Sequence, residues 1–314
     1  MFKGWERAVA ASRIRMARWL TGLLVLAGSS AWSQEAPAAA KPGQETQVRF
    51  QTRHPLSSWA ALKERIPFGA KRLAELGPEV EAASSSFQVR LPKGYRPRRK
   101  KTYGLVVWMS PDTTGRCPPA WAGELRRQRL ILIGPDAAGN DQPLAQRVAL
   151  ALDALQGALT HYRVDPQRVL AMGFSGGGNV TSWLGLHFPE LFAGTALLSG
   201  CDTFRPVPIP DRPGAFWRGS IPEPSAERLA LAKERAQVFF SGKEDLLPAK
   251  QALAVSTLHR ELGFKRVTLR IAPGLGHRPC SGPEMRRVLK ALEAPAEPTP
   301  KPSPSPPPAS RPAR

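Results

Sequence analysis

The chain has 314 residues, 42% hydrophobic and 22% charged, enough apolar material to bury the core of one α/β domain with tails and too much for wholesale disorder. Three cysteines are too few for a disulfide scaffold and fit no zinc-finger spacing, and no apolar run reaches the roughly 18–20 residues of a membrane span, which excludes a polytopic membrane protein. The formal net charge is +20, yet no nucleic-acid module accompanies it, so nucleic acid is not an expected partner.

Arg13, Arg15 and Arg18 precede the apolar run from Trp19 to Gly28, and Ala31 and Ser33 supply small residues at the −3 and −1 positions of a cleavage site. Residues 1–33 therefore read as an export signal, with Met16 a more ordinary start than Met1, and a secreted or periplasmic location follows. No Cys follows the apolar run, so a lipoprotein anchor is not expected. Residues 34–46 read as a linker. Export makes thiols oxidisable, and Cys117, Cys201 and Cys280 leave room for one long-range disulfide whose pairing the spacing does not decide.

A domain is expected over residues 47–293. Two short helices, Ser58 to Arg65 and Phe68 to Leu76, precede Phe87–Leu91, whose alternation suits an edge or half-buried strand. The run Arg96, Arg98, Arg99, Lys100 and Lys101 reads as a solvated loop, or as a weak hold on anionic envelope surfaces. Beyond it the apolar runs are continuous, as in buried parallel strands: Leu105–Met109, Leu130–Ile133, Val169–Met172, Thr195–Leu198, Val238–Phe240 and Val267–Ile271. Helical patterns lie between them over 143–160, 177–187 and 248–262, the last stopped by Gly263. Such alternation predicts a mostly parallel sheet with helices on both faces. Residues 294–314 are a Pro-rich extended tail that cannot pack a core.

The chemistry concentrates at Gly173-Phe174-Ser175-Gly176-Gly177-Gly178. A strand precedes this G-x-S-x-G and a helical stretch follows, the context in which a serine is raised on a tight turn as a nucleophile. The Gly176 N–H, at the start of the helix, is then one donor to an oxyanion. A serine needs a base and the base needs an orienting acid, in the chain order Ser, Asp or Glu, His. Of the five histidines only His187, His259 and His277 follow Ser175. His187 lies far along the helix that begins at the turn, and His259 is expected on the surface of the 248–262 helix. His277 sits in the glycine-rich loop after the last strand, where such a base belongs. Asp245, after the preceding strand, is the expected acid, with Glu244 as the neighbouring alternative and Asp202 as a third.

The second oxyanion donor should come from the loop Ser110-Pro111-Asp112-Thr113. Pro111 has no N–H, which leaves Asp112 or Thr113, although an acidic side chain beside an oxyanion is unfavourable unless it points away. Phe174, Phe204 and Trp217 are candidate pocket residues, the last two on a proline-stiffened loop after Thr195–Leu198 that suits either a partial cap or a structural excursion with its aromatics packed inward. Arg205, Arg212 and Arg218 lie on or beside the same loop, facing either an acidic substrate or solvent. Asp136 and Asn140, after Leu130–Ile133, are candidates for the pocket's edge.

The stretches Arg163-Val164-Asp165-Pro166-Gln167-Arg168-Val169, Gly173–Gly178 and Phe188-Pro189-Glu190-Leu191-Phe192-Ala193-Gly194 resemble the secreted α/β-hydrolase esterases grouped with polyhydroxybutyrate depolymerases and feruloyl esterases. The resemblance covers about 87–292. It implies the α/β-hydrolase fold, an ester substrate, and Ser175, Asp245 and His277 as nucleophile, acid and base; acyl transfer by these groups needs no cofactor or metal, and no stable protein partner is expected. The chain departs from the group at Ser110-Pro111, where members usually carry His-Gly. Two rival readings accompany the esterase: a catalytically degenerate scaffold acting as an extracellular binding protein, and a serine peptidase of the same fold.

Overall fold

The computed structural model describes residues 40–69, 79, 85–97 and 102–294. The export segment, residues 34–39 of the linker, most of the helix expected at Phe68 to Leu76, the basic residues Arg98 to Lys101 and the tail beyond 294 lie outside the described residues.

In chain order the strands are β1 (Glu45–Val48), β2 (Phe87–Arg90), β3 (Tyr103–Met109), β4 (Leu130–Pro135), β5 (Val164–Phe174), β6 (Gly194–Leu198), β7 (Val207–Pro208), β8 (Phe216–Trp217), β9 (Ala236–Gly242) and β10 (Arg266–Ala272). The main sheet runs β1-β2-β4-β3-β5-β6-β9-β10. It is parallel from β4 through β10, while β2 pairs antiparallel with both β1 and β4. β7 and β8 form a separate short antiparallel hairpin. The helices are α1 (Trp59–Arg65), α2 (Ala122–Arg127), α3 (Leu144–His161), α4 (Gly176–His187), α5 (Ala226–Glu234), α6 (Leu246–Glu261) and α7 (Gly282–Glu293).

The apolar runs are continuous because both faces of the central strands are covered. Successive side chains alternate between faces. Leu105, Val107 and Met109 of β3 therefore pack with Val148 and Leu152 of α3 and Val180 and Trp183 of α4. Val106 and Trp108 face the other layer, against Leu125 of α2 and Met285, Val288 and Leu289 of α7. α6 adds a smaller cluster, in which Ala252 and Val255 meet Leu197 and Phe239. Among the described residues no helix is long and apolar enough to cross a membrane.

Several expectations are corrected. β1 starts at Glu45, inside the stretch read as linker, and it makes β2 an inner strand rather than an edge. Buried Gln88 of β2 is satisfied by two bonds to the Asp136 carboxylate. His259 is not on the helix surface. It is buried, with Nδ1 2.6 Å from Gln237 Oε1 and Nε2 3.3 Å from Thr203 Oγ1. Burial lowers its pKa to about 3, so it packs as a neutral ring. The three cysteines form no disulfide. All are free and buried, and burial pushes the thiols of Cys117 and Cys280 up to about 12, which leaves them protonated and unreactive.

Candidate active site

β5 ends in a sharp turn. Ser175 adopts φ 53° and ψ −124°, a backbone conformation that costs a non-glycine residue about 1–3 kcal/mol and persists only where the surroundings over-determine it. Here they do. The Ser175 N–H donates to the Leu198 carbonyl at 2.8 Å, and the Ser175 carbonyl accepts from the Gly178 N–H at 2.9 Å. The turn is also too crowded for side chains. A Cβ on Gly177 would lie 2.0 Å from the Met109 carbonyl oxygen, and one on Gly173 would lie 2.1 Å from the Gly177 carbonyl oxygen. The glycines thus let α4 start directly against the end of β3, with the serine at its tip.

The turns after β9 and β10 bring Asp245 and His277 to that serine. His277 Nε2 lies 2.9 Å from Ser175 Oγ, and His277 Nδ1 lies 2.8 Å from Asp245 Oδ2. Asp245 is buried, only 9% exposed, whereas His277 is about half exposed. The Phe174 ring lies 4.8 Å from that of His277, tilted by 38°. Glu244 does a different job. Its Oε1 accepts from the Gly274 N–H at 3.0 Å, bracing the loop that carries His277, and this bond holds its carboxyl below the ordinary carboxylate range. Asp202, the third acidic candidate, accepts from the N–H groups of Thr203 and Ser220 and fastens the excursion after β6.

On the opposite wall, one of the two expected donors is engaged within its own loop. The Asp112 N–H donates to Ser110 Oγ at 3.1 Å, and the Thr113 carbonyl accepts from the Ala137 N–H at 2.7 Å. The Asp112 N–H is therefore already engaged. Beneath this loop lies Arg147, buried on the first turn of α3. Its Nε donates to the Ala138 carbonyl at 2.8 Å, and its terminal nitrogen donates to the Ser110 carbonyl at 3.3 Å. Burial lowers its pKa to about 10, so it stays charged. Nothing in a local pattern marked Arg147, because its two acceptors lie on separate loops. Asp136 turns away from the site to Gln47, Ser86, Gln88 and the Gly115 N–H. Asn140 is at the site: a Cβ on Gly176 would lie 1.9 Å from its Oδ1.

Two further expected pocket residues pack inward. Phe204 is 9% exposed within the core that includes α4, with its ring 6.5 Å from that of His259. Trp217 leans on the cluster formed by Leu197, Phe239 and Val255. Arg205 pairs with Glu223 at 3.2 Å, and Arg212 and Arg218 are exposed.

The sheet order, with its serine turn after the fifth strand and loop-borne acid and base, defines an α/β-hydrolase fold. Within that fold the chain is similar to the poly(3-hydroxybutyrate) depolymerases: it is 27% identical over 131 residues to poly(3-hydroxybutyrate) depolymerase of Ralstonia pickettii, a match covering 36% of this chain. The match spans 27% of that depolymerase's length. No family model matches the chain. Among solved structures it resembles a fluorophosphonate-binding serine hydrolase of Staphylococcus aureus determined with substrate bound (TM-score 0.50, 12% identity, 80% of this chain and 99% of that one). It also resembles poly(aspartic acid) hydrolase-1 of Sphingomonas sp. KT-1 (TM-score 0.50, 12% identity, 66% of this chain and 93% of that one).

Proposed function

We propose that this chain is an exported serine hydrolase that cleaves carboxylic esters through an acyl-enzyme. The observation that carries the reading is the unbroken relay from Ser175 Oγ through His277 to Asp245, with contacts of 2.9 and 2.8 Å. His277 Nε2 takes the Ser175 proton as Oγ attacks the ester carbonyl. Asp245 accepts from Nδ1–H, which fixes the tautomer and stabilises the imidazolium. The imidazolium then protonates the departing alcohol, and water, activated by the same ring, releases the acid and frees the serine. The Gly176 N–H at the start of α4 faces the negative charge that develops on the carbonyl oxygen.

The strained serine argues against a silent scaffold, because a binding protein gains nothing from keeping an alcohol in an unfavourable backbone conformation beside a base. The basic-then-apolar N-terminus supports export. Hydrolysis of p-nitrophenyl esters from C2 to C12 by the wild-type protein and by Ser175→Ala tests the reading. Turnover should fall by about 10⁴–10⁶-fold in the variant. A folded wild-type protein without turnover on any ester, or a variant as active as the wild type, would overturn it.

A further inference from the structure

We propose that the Asn140 carboxamide is the second oxyanion donor of this site, in place of the Asp112 N–H that Ser110 Oγ holds; the inference rests on the ester-hydrolase reading above. Three observations on that loop and its neighbour lead to it.

The first is the engagement of the loop itself. Pro111 has no N–H, and the Asp112 N–H is held by Ser110 Oγ at 3.1 Å. The Asp112 carboxylate, on an exposed residue at the same wall, adds charge of the wrong sign for an oxyanion. A single donor from Gly176 would leave the developing charge half-stabilised, and losing one of two donors typically costs about 100- to 1,000-fold in turnover.

The second is the position of Asn140. Its side chain lies against the Cα of Gly176, the residue whose N–H is the other donor. A Cβ there would fall 1.9 Å from Asn140 Oδ1, 2.7 Å from Cγ and 3.0 Å from Nδ2. The carboxamide occupies the space a side chain at 176 would need, so the two donors share one corner of the site. The carboxamide makes no side-chain hydrogen bond among the described residues, and Asn140 is exposed. A half-turn about its Cβ–Cγ bond exchanges the oxygen and the NH₂, and an oxyanion beside it selects the NH₂ end.

The third is how firmly Asn140 is held. Its N–H donates to the Pro111 carbonyl at 2.9 Å. A Cβ on the preceding Gly139 would meet the Asp112 carbonyl carbon at 2.9 Å, so the two loops touch along their backbones. Arg147 joins them from below through the Ala138 and Ser110 carbonyls. A donor held in this way is organised before the reaction and costs nothing to reorient during it. Side-chain amides serve as oxyanion donors in other hydrolases, so the chemistry is within their range.

The test uses the full-length protein, Asn140→Ala, the isosteric Asn140→Asp and Ser110→Ala on p-nitrophenyl butyrate. Labelling of Ser175 by a fluorophosphonate, read by intact mass, runs alongside. Both Asn140 variants should lose about 100- to 1,000-fold in kcat with KM within about three-fold of wild type and an unchanged Tm, because the interaction is made in the transition state and not in the ground state. Ser110→Ala, which frees the Asp112 N–H, should keep kcat within about five-fold, as a substitution outside the donor set should. Asn140→Ala with wild-type kcat, or a loss confined to KM, would overturn the proposal while leaving the ester-hydrolase reading intact. A wild-type protein that is neither labelled at Ser175 nor active on the ester would overturn both.

Discussion

The two walls of the site are built by different means. The serine wall is local in origin: a strand, a strained serine, crowded glycines and a helix within Val164–His187, joined by two short turns that carry Asp245 and His277. The facing wall is a contact between two loops, Ser110 to Gly115 and Asp136 to Asn140, pinned by one buried guanidinium on a helix. Residue types at fixed spacing specify the first. The second depends on which of several polar groups finds which partner after folding. The serine wall should therefore respond to mutation as a chemical unit, and the loop wall as a packing problem with chemical consequences.

The sharpest test of that contrast is Asp245→Asn. An amide at this position presents the wrong partner to His277 Nδ1 and favours the wrong tautomer, and turnover should fall by about 10⁴-fold with the fold intact. Glu244 cannot substitute, since its carboxylate is committed to the Gly274 N–H. Steady-state kinetics with circular dichroism on the same samples decides it. A loss of less than about tenfold would mean that the neighbouring acid takes over and that the serine wall is less strictly specified than its geometry implies.

Arg147→Met addresses the other wall. The thioether fills much of the same volume but donates nothing, so the Ser110 and Ala138 carbonyls lose a charged donor in a buried place. Unsatisfied buried groups of this kind cost about 1–3 kcal/mol each. Stability in urea should fall by about 2–6 kcal/mol for the two carbonyls together, and kcat should fall about tenfold as the loops loosen, since small misplacements of positioned groups are felt in rate. Arg147→Lys should recover part of the stability and little of the rate, because an ammonium cannot span two acceptors as a planar fork does. Lower stability with unchanged kcat would show that the loops hold their arrangement without the clamp.

The same contrast explains what the amino-acid sequence revealed. The parallel strands were legible because burial on both faces leaves unbroken apolar runs. Ser175, Asp245 and His277 were legible because each follows one of those runs in a fixed order. The ends of the sheet were harder. β1 is four residues with no apolar run, and the β7–β8 hairpin pairs only two residues on each side. α7 did carry a signal, Ser281 three residues before Glu284, and its Ser281 side chain accepts from the Glu284 N–H. Phe204 and His259 misled for one reason. A loop aromatic and a helical histidine look exposed until a second element covers them, and here each helps to bury the other. No spacing rule connects Ser110 Oγ to the Asp112 N–H, or Asn140 to Gly176, because side-chain docking alone creates those relations.

The smallest expected effect tests whether the serine wall has any of the loop wall's dependence on remote contacts. Glu244 is exposed, and its carboxylate holds the Gly274 N–H at the root of the His277 loop. Glu244→Ala should lower kcat by only about two- to five-fold, the range of an exposed polar interaction. The effect on stability carries a pH signature. The Gly274 N–H holds the Glu244 carboxyl below its ordinary 4.5 in the folded protein. A depressed folded pKa contributes stability that is complete above the ordinary value and is lost as pH falls through the folded one. The Tm difference between wild type and Glu244→Ala should therefore be flat from about pH 5 to about pH 8 and close below 4.5. A difference that persists unchanged into acid would mean that the side chain braces the loop by packing rather than by charge. In that case both walls of the site would be held in the same way.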